Sequence, residues 1–159
     1  MKIEEHALIK NSLGINSRCK LLVTIESLED LPKLKSHINA SEDYYIVGEG
    51  TNIVMPNYFD GIIIKANFNY IVEDTEKNIL KVGAAFNWNN LVKHCVSNGI
   101  YGFENLIDIP GSVGASPIQN IGAYGSDVSE VIDSIDCFCL ETFQFKTLSN
   151  SDCKFTYRD

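Results

Sequence analysis

The sequence is short of the features that mark several common classes of protein. It has no run of lysine or arginine, and 13 basic against 21 acidic residues give a formal net charge of −8. Neither a nucleic-acid surface nor a basic membrane-binding face is expected from that balance. Its start, "MKIEEHALIKNSLG", has no long apolar stretch and carries two acidic residues early, Glu4 and Glu5. A signal peptide and a transmembrane helix are therefore not expected, and a cytoplasmic setting follows. There is no CxxC pair among the five cysteines, Cys19, Cys95, Cys137, Cys139 and Cys153. The odd count in a cytosolic chain favours buried thiols over a disulfide frame, with Cys137 and Cys139 on one side of a strand as core thiols. His6, His37 and His94 lack ligand spacing, so no metal site is predicted. There is no internal repeat and no low-complexity linker.

What is present suits one ordinary domain with a real core: 159 residues, 45% hydrophobic and 21% charged. "CKLLVTI" at 19–25 predicts a strand. In the segment that follows, Leu28, Leu31, Leu34 and Ile38 recur at near-helical spacing. Ser27 with Asp30, or Asp30 itself, suits the cap of that helix, and Pro32 fits only within its first turn. "YYIV" at 44–47 closes a β-α-β unit. "IVM" at 53–55, "GIIIK" at 61–65, "YIVED" at 70–74 and "ILKVGAA" at 79–85 are all strand-like, with "EDTEKN" as a hairpin turn. Trp88, Leu91, Val92, Cys95 and Val96 then mark an amphipathic helix, capped by Asn87 and ended by Gly99. The end of the chain predicts two strands around a turn at Glu141 and Thr142, then a short polar segment.

Two glycine segments stand out. "GEGTNIVMP" lacks the third glycine of a dinucleotide fingerprint, and no Gly-Lys-Ser/Thr follows, so Rossmann and P-loop readings fail. What remains is either a plain turn or an anion-binding nest. In the nest, Gly48 and Gly50 allow positive φ, and Thr51 and Asn52 donate to phosphate oxygens. The second segment, "IPGSVGASPIQNIGAYG" at 109–125, is apolar yet rich in turn residues. Ile109, Val113, Ile118, Ile121 and Tyr124 are expected to seek burial, while Ser112, Ser116, Gln119 and Asn120 offer bonds to the heteroatoms of a large cofactor. A tightly packed structural loop is the alternative.

Taken in order, "NSLGI" at 11–15, "VGEGTNIV" at 47–54, "GFENLIDIPGSVGASPIQNIGAYG" at 102–125 and "CKFTYRD" at 153–159 resemble the UDP-N-acetylenolpyruvoylglucosamine reductase family, flavoenzymes of peptidoglycan precursor synthesis. The resemblance implies an α+β fold of the vanillyl-alcohol-oxidase type, with two small FAD-binding subdomains, 1–66 and 67–159, clasping the flavin. It implies noncovalent FAD with its pyrophosphate on Gly48, Glu49, Gly50, Thr51, Asn52 and Ile53. Pro110, Gly111, Ser112, Gly114, Ala115, Ser116, Gln119, Asn120, Gly122 and Tyr124 would wrap the flavin and its ribityl chain. NADPH is the implied hydride donor and a UDP-sugar the substrate, with Arg158 at the enolpyruvyl carboxylate. The family's proton-donating serine and catalytic glutamate lie in later segments. The chain is therefore expected to be the N-terminal part of a reductase, inactive alone. A flavin oxidase of the same superfamily with another substrate, or an FAD-binding module without turnover, is the alternative.

Overall fold

Period-two alternation organises the first part of the chain. A computed structural model describes residues 1–38 and 43–157. Strands β1 (Lys2–Glu5), β2 (Leu8–Ile9) and β3 (Ser17–Ile25) come first. In β3, Ser17, Cys19, Val23 and Ile25 are buried while Arg18 and Lys20 are exposed, as in a strand whose side chains alternate between core and solvent. β4 (Tyr44–Ile46) and β5 (Tyr58–Ala66) complete a five-stranded mixed sheet. In β5 the run Gly61–Ile64 is buried without alternation, because the strand is central and covered on both faces. The order is β1-β3-β5-β4 with β2 also on β3, and β3 and β4 both run parallel to β5. The predicted strand-helix-strand order therefore holds, with β5 inserted between the two strands. β1 and β2 were not foreseen, since "KIEE" is too polar to signal a strand.

The connecting helix, Leu28–Ser36, is a 3-10 helix rather than an α-helix. Pro32 sits at its fifth position, beyond the first turn, and lacks the N–H that an α ladder needs there. Ser27 and Asp30 form the expected capping box. Asp30 does more than cap: it is buried and accepts from the α-amino group of Met1 at 2.6 Å, from Lys33 Nζ at 2.8 Å and from the Ser27 N–H at 3.2 Å.

β6 (Ile71–Asp74) and β7 (Ile79–Val82) form the predicted hairpin. "IVM" at 53–55 forms no strand: the chain there leaves a loop, Ile53 and Met55 pack inward, and Val54 is exposed. α1 (Trp88–Ser97) runs where its stripe predicts, and Asn87 Oδ1 accepts from the Asn90 N–H at 3.1 Å. Trp88, Leu91, Val92 and Cys95 are buried, whereas Val96 is half exposed. The short hairpin β8 (Gly122–Ala123) and β9 (Ser126–Asp127) precedes the longer one of β10 (Ser134–Cys139) and β11 (Gln144–Ser149), and α2 (Asn150–Cys153) follows. By contact the chain falls into two units, Met1–Ala85 and Phe86–Asp159. Cys19 and Cys95 are buried core thiols as expected, but Cys137, Cys139 and Cys153 are only half buried. An isolated two-stranded ribbon such as β10–β11 has no second layer of its own to cover both faces. No helix among the described residues is long and apolar enough to cross a membrane.

The Lys33 ammonium and the Met1 amine hold the Asp30 carboxyl well below the usual carboxylate range. A carboxyl more acidic in the folded than in the unfolded chain adds stability that is complete above its unfolded pKa, ~3.9, and is lost as pH falls through the lower folded value. Asp30→Asn should therefore lower the melting temperature at pH 7, and the gap to the parent protein should narrow below about pH 4. Thermal melts at pH 7 and pH 2.5 check this.

Candidate functional site

The first glycine segment is fastened at both ends. On entry, the buried Val47 donates its N–H to Ile64 O at 2.9 Å, extending the pairing of β4 with β5. On exit, Ile53 and Met55 pack against the core cluster of Ile9, Cys19, Val47 and Ile63, and Met55 O accepts from the buried Ser17 hydroxyl at 3.2 Å. Between these anchors Gly48–Asn52 is a continuous series of bends, outside any helix or sheet.

Its partner is the loop at 10–15. There the Asn11 side chain closes a compact turn: Nδ2 donates to Ile9 O at 3.1 Å and Ile15 O at 2.8 Å, and Oδ1 accepts from the Ile15 N–H at 3.0 Å. Ser12 then reaches across, its N–H to Gly50 O at 3.0 Å and its hydroxyl to Thr51 O at 3.2 Å. "NSLGI" and "GEGTN", far apart in sequence, are thus two halves of one interlock.

Gly50 is the residue this interlock requires. Its φ is +71°, and a Cβ built on it would lie 2.3 Å from Lys10 O and 3.1 Å from Asn11 Cα. The space beside Gly50 is filled by backbone, so its missing side chain answers to Lys10 rather than to a ligand. Gly48 is not at positive φ, so the expectation for both glycines holds at Gly50 alone. Glu49 and Thr51 are half buried and Asn52 is exposed, each with interactions inside the protein.

The second segment is gripped by the start of α1. The Trp88 indole N–H donates to Leu106 O at 2.8 Å, and the Trp88 backbone N–H donates to Gly111 O at 3.0 Å. Asn89 Oδ1 accepts from the Asp108 N–H at 2.6 Å, and Val113 N–H donates to Phe86 O at 2.9 Å. Asn87 and Ser112 form an antiparallel bridge. From there Val113–Gln119 makes a 3-10 helix, and the chain turns through Asn120 into β8 and β9.

The burial pattern of this segment inverts the expectation. Ser112, Ser116 and Asn120, four apart, are buried, whereas Ile118 and Tyr124 are 75% and 87% exposed. Ile109, Val113 and Ile121 are half buried. Polar side chains go inside because they satisfy a backbone that has no ladder. Ser116 Oγ donates to Val113 O at 2.8 Å, and Asn120 bonds on both sides. Gly111 is buried, while Pro110, Gly114, Ala115, Gln119 and Gly122 are exposed. Tyr124 and Gly125, with φ of 52° and 85°, are the two central residues of a type I′ turn that presents the Tyr124 ring outward. Arg158 lies outside the described residues.

Residues 19–139 match the FAD binding domain family. The chain belongs to that family. This FAD-binding domain chain is 38% identical over 152 residues to a UDP-N-acetylenolpyruvoylglucosamine reductase of Aliivibrio fischeri, covering 94% of this chain and 44% of that protein. It is 37% identical to the protein of that name from Polynucleobacter asymbioticus, covering 94% and 45%. The chain therefore spans a little under half the length of these curated relatives. Its fold matches the crystal structure of a UDP-N-acetylenolpyruvylglucosamine reductase from Thermus caldophilus at a TM-score of 0.81, with 22% identity, over 99% of this chain and 56% of that one. The mixed α+β architecture is thus the fold of that reductase structure, and the chain carries an FAD binding domain.

The residues present suit such a cofactor. Gly48–Asn52 offers curved backbone, two glycines, a hydroxyl and a carboxamide as a donor set for a pyrophosphate, with the Glu49 carboxylate the one side chain of the span that cannot donate to it. Gly114, Ala115 and Gly122 are small and exposed, so they offer no side-chain bulk against a large flat group. Sequence reasoning missed Asn11, Trp88 and Asn89, which hold these segments without belonging to them. The single tryptophan was a usable signal, since a buried indole needs an acceptor.

Gly50→Ala is expected to destabilise the protein by more than about 2 kcal/mol, adding a steric clash to the ~1–2 kcal/mol cost of the left-handed conformation. Gly14, at φ +68° with nothing within 4 Å of a built Cβ, is the control. Gly14→Ala carries only the conformational cost, so urea unfolding should separate the two variants by the contact alone.

Proposed function

We propose that this chain is the FAD-binding part of a cytoplasmic enzyme that reduces UDP-N-acetylenolpyruvoylglucosamine to UDP-N-acetylmuramate with NADPH in peptidoglycan precursor synthesis. The observation that carries the reading is likeness to proteins of that name along 94% or more of this chain, through both glycine segments and up to its arginine-bearing end.

When bound, FAD supplies the hydride-relay chemistry between NADPH and the enolpyruvyl group. The chain's own residues bind and orient. Gly48–Asn52 would hold the pyrophosphate through backbone N–H groups, with Ile53 beside them at the cofactor and the loop kept in shape by Ser12 and Asn11. The exposed residues between Pro110 and Tyr124, among them Gly114, Ala115, Gln119 and Gly122, would line the flavin and its ribityl chain. Arg158 is the residue proposed to pair with the enolpyruvyl carboxylate, where a guanidinium would oppose the charge that builds up as the double bond is reduced. The cofactor is held without a covalent link. Acid precipitation of the yellow protein should release all flavin to the supernatant, and flavin retained on the pellet would instead favour a covalent flavin oxidase.

In the full-length protein, Arg158→Ala should slow reoxidation of the reduced flavin by the enolpyruvyl substrate about a hundredfold or more, and leave reduction by NADPH near its parent rate. Charge develops on the substrate only in the second half-reaction. Stopped-flow traces of the two halves separate the effects, and equal slowing of both would point to a structural role for the arginine.

A further inference from the structure

The stretch from Lys10 to Ser12 fixes Gly50 and leaves one of its groups without a partner. Gly50 is held in the left-handed region at φ +71°, and Lys10 O occupies the place of a Cβ. Its carbonyl accepts from the Ser12 N–H at 3.0 Å. Gly50 is buried, yet among the described residues no hydrogen bond reaches its own N–H. A buried backbone donor left unpaired is rare in a native structure and calls for a cause.

The side chain behind this arrangement is Asn11. Its carboxamide bonds within its own turn, donating to Ile9 O and Ile15 O and accepting from the Ile15 N–H. Ile9 belongs to β2 and to the core cluster, so the turn is tied to the sheet at its start. Ser12, the next residue, carries that order across to the glycine loop through its N–H, and adds its hydroxyl to Thr51 O at 3.2 Å.

We infer that Asn11 is a positioning residue for a nucleoside diphosphate: it fixes Ser12, Ser12 fixes Gly50, and the Gly50 N–H is presented to a phosphate oxygen. The inference rests on the proposed role of Gly48–Asn52 at the pyrophosphate, and it names a residue outside that loop on which the affinity depends. A bond from an N–H to a phosphate is charge-assisted and stronger than a neutral one, and it weakens steeply once bent. The glycine loop lies outside any helix or sheet, so no ladder keeps its peptides in line. The flavin ring is assigned to other residues, and the effect of Asn11 therefore falls on the phosphate end.

Asn11→Ala in the full-length protein tests this, with FAD and ADP as probes. FAD is titrated into the apoprotein by the quenching of its fluorescence, and ADP is added as its competitor. Both dissociation constants should rise by about tenfold or more, the loss expected for one hydrogen bond to a charged group. At saturating FAD the flavin absorption spectrum and the rate of reduction by NADPH should match the parent. Ser12→Ala keeps the N–H bond to Gly50 O and removes only the hydroxyl contact, so both constants should rise less, ~threefold. Unchanged FAD affinity in folded Asn11→Ala, or weaker FAD binding with ADP unaffected, would overturn the positioning role alone. An altered spectrum or slower reduction at saturating FAD would make Asn11 a fold element, and the inference would fall. If Asn11→Ala does not fold, Ser12→Ala decides, and unchanged constants there overturn the inference. A parent apoprotein that binds FAD but not ADP also overturns it, whereas one that takes up no FAD overturns the functional reading and this inference with it.

Discussion

A backbone that belongs to no helix or sheet must still pair its N–H and C=O groups once it is buried, and that requirement shapes both units of this molecule. Much of the two glycine segments lies outside the α-helices and the main sheet. Their partners have to come from side chains, and the choice falls repeatedly on asparagine. Its carboxamide has both an acceptor oxygen and two donor hydrogens, so one residue can hold a carbonyl and an amide together. Asn11 does this for the 9–15 turn, Asn120 for the end of the 3-10 helix, and Asn150 for the carbonyls of Ser129 and Ile132. Asn11 and Asn150 each donate to two carbonyls, which the single O–H of threonine or serine could not do.

The same requirement explains the segment from 109 to 125. A run of serine, asparagine and isoleucine looks, by hydropathy, as though its isoleucines belong inside. The loop instead folds around its small polar side chains and turns Ile118 and Tyr124 outward. Both side chains are then left to solvent, or to whatever covers this segment. The FAD-binding family to which the chain belongs gives such a surface a use.

What was legible in the sequence follows from how local each signal is. The helix at Trp88–Ser97, its Asn87 cap, the β6–β7 hairpin and the terminal hairpin are set by residues within a few positions of each other, and they stand where they were expected. β1 and β2 owe their existence to β3, a partner that their own composition does not announce. The helix at Leu28–Ser36 was visible, but its tighter winding comes from Pro32 at an interior position. The glycine loops were recognised as special, whereas the reason for Gly50 was hidden. It lies in Lys10, forty positions away, and only a folded backbone brings the two together. Placing Ser116 and Asn120 as buried loop supports likewise needed knowledge of which carbonyls lie beside them.

The two edges of the main sheet differ in a way that matters at the bench. β1, at one edge, reads Lys-Ile-Glu-Glu, and charge on an edge strand discourages a neighbouring chain from adding to it. β4, at the other, reads Tyr-Tyr-Ile with all three residues exposed. An edge of aromatic and branched residues templates strand addition, so sticking at high concentration will proceed from the β4 side, and a charged residue at Tyr45 is the economical place to improve solubility without touching either glycine loop.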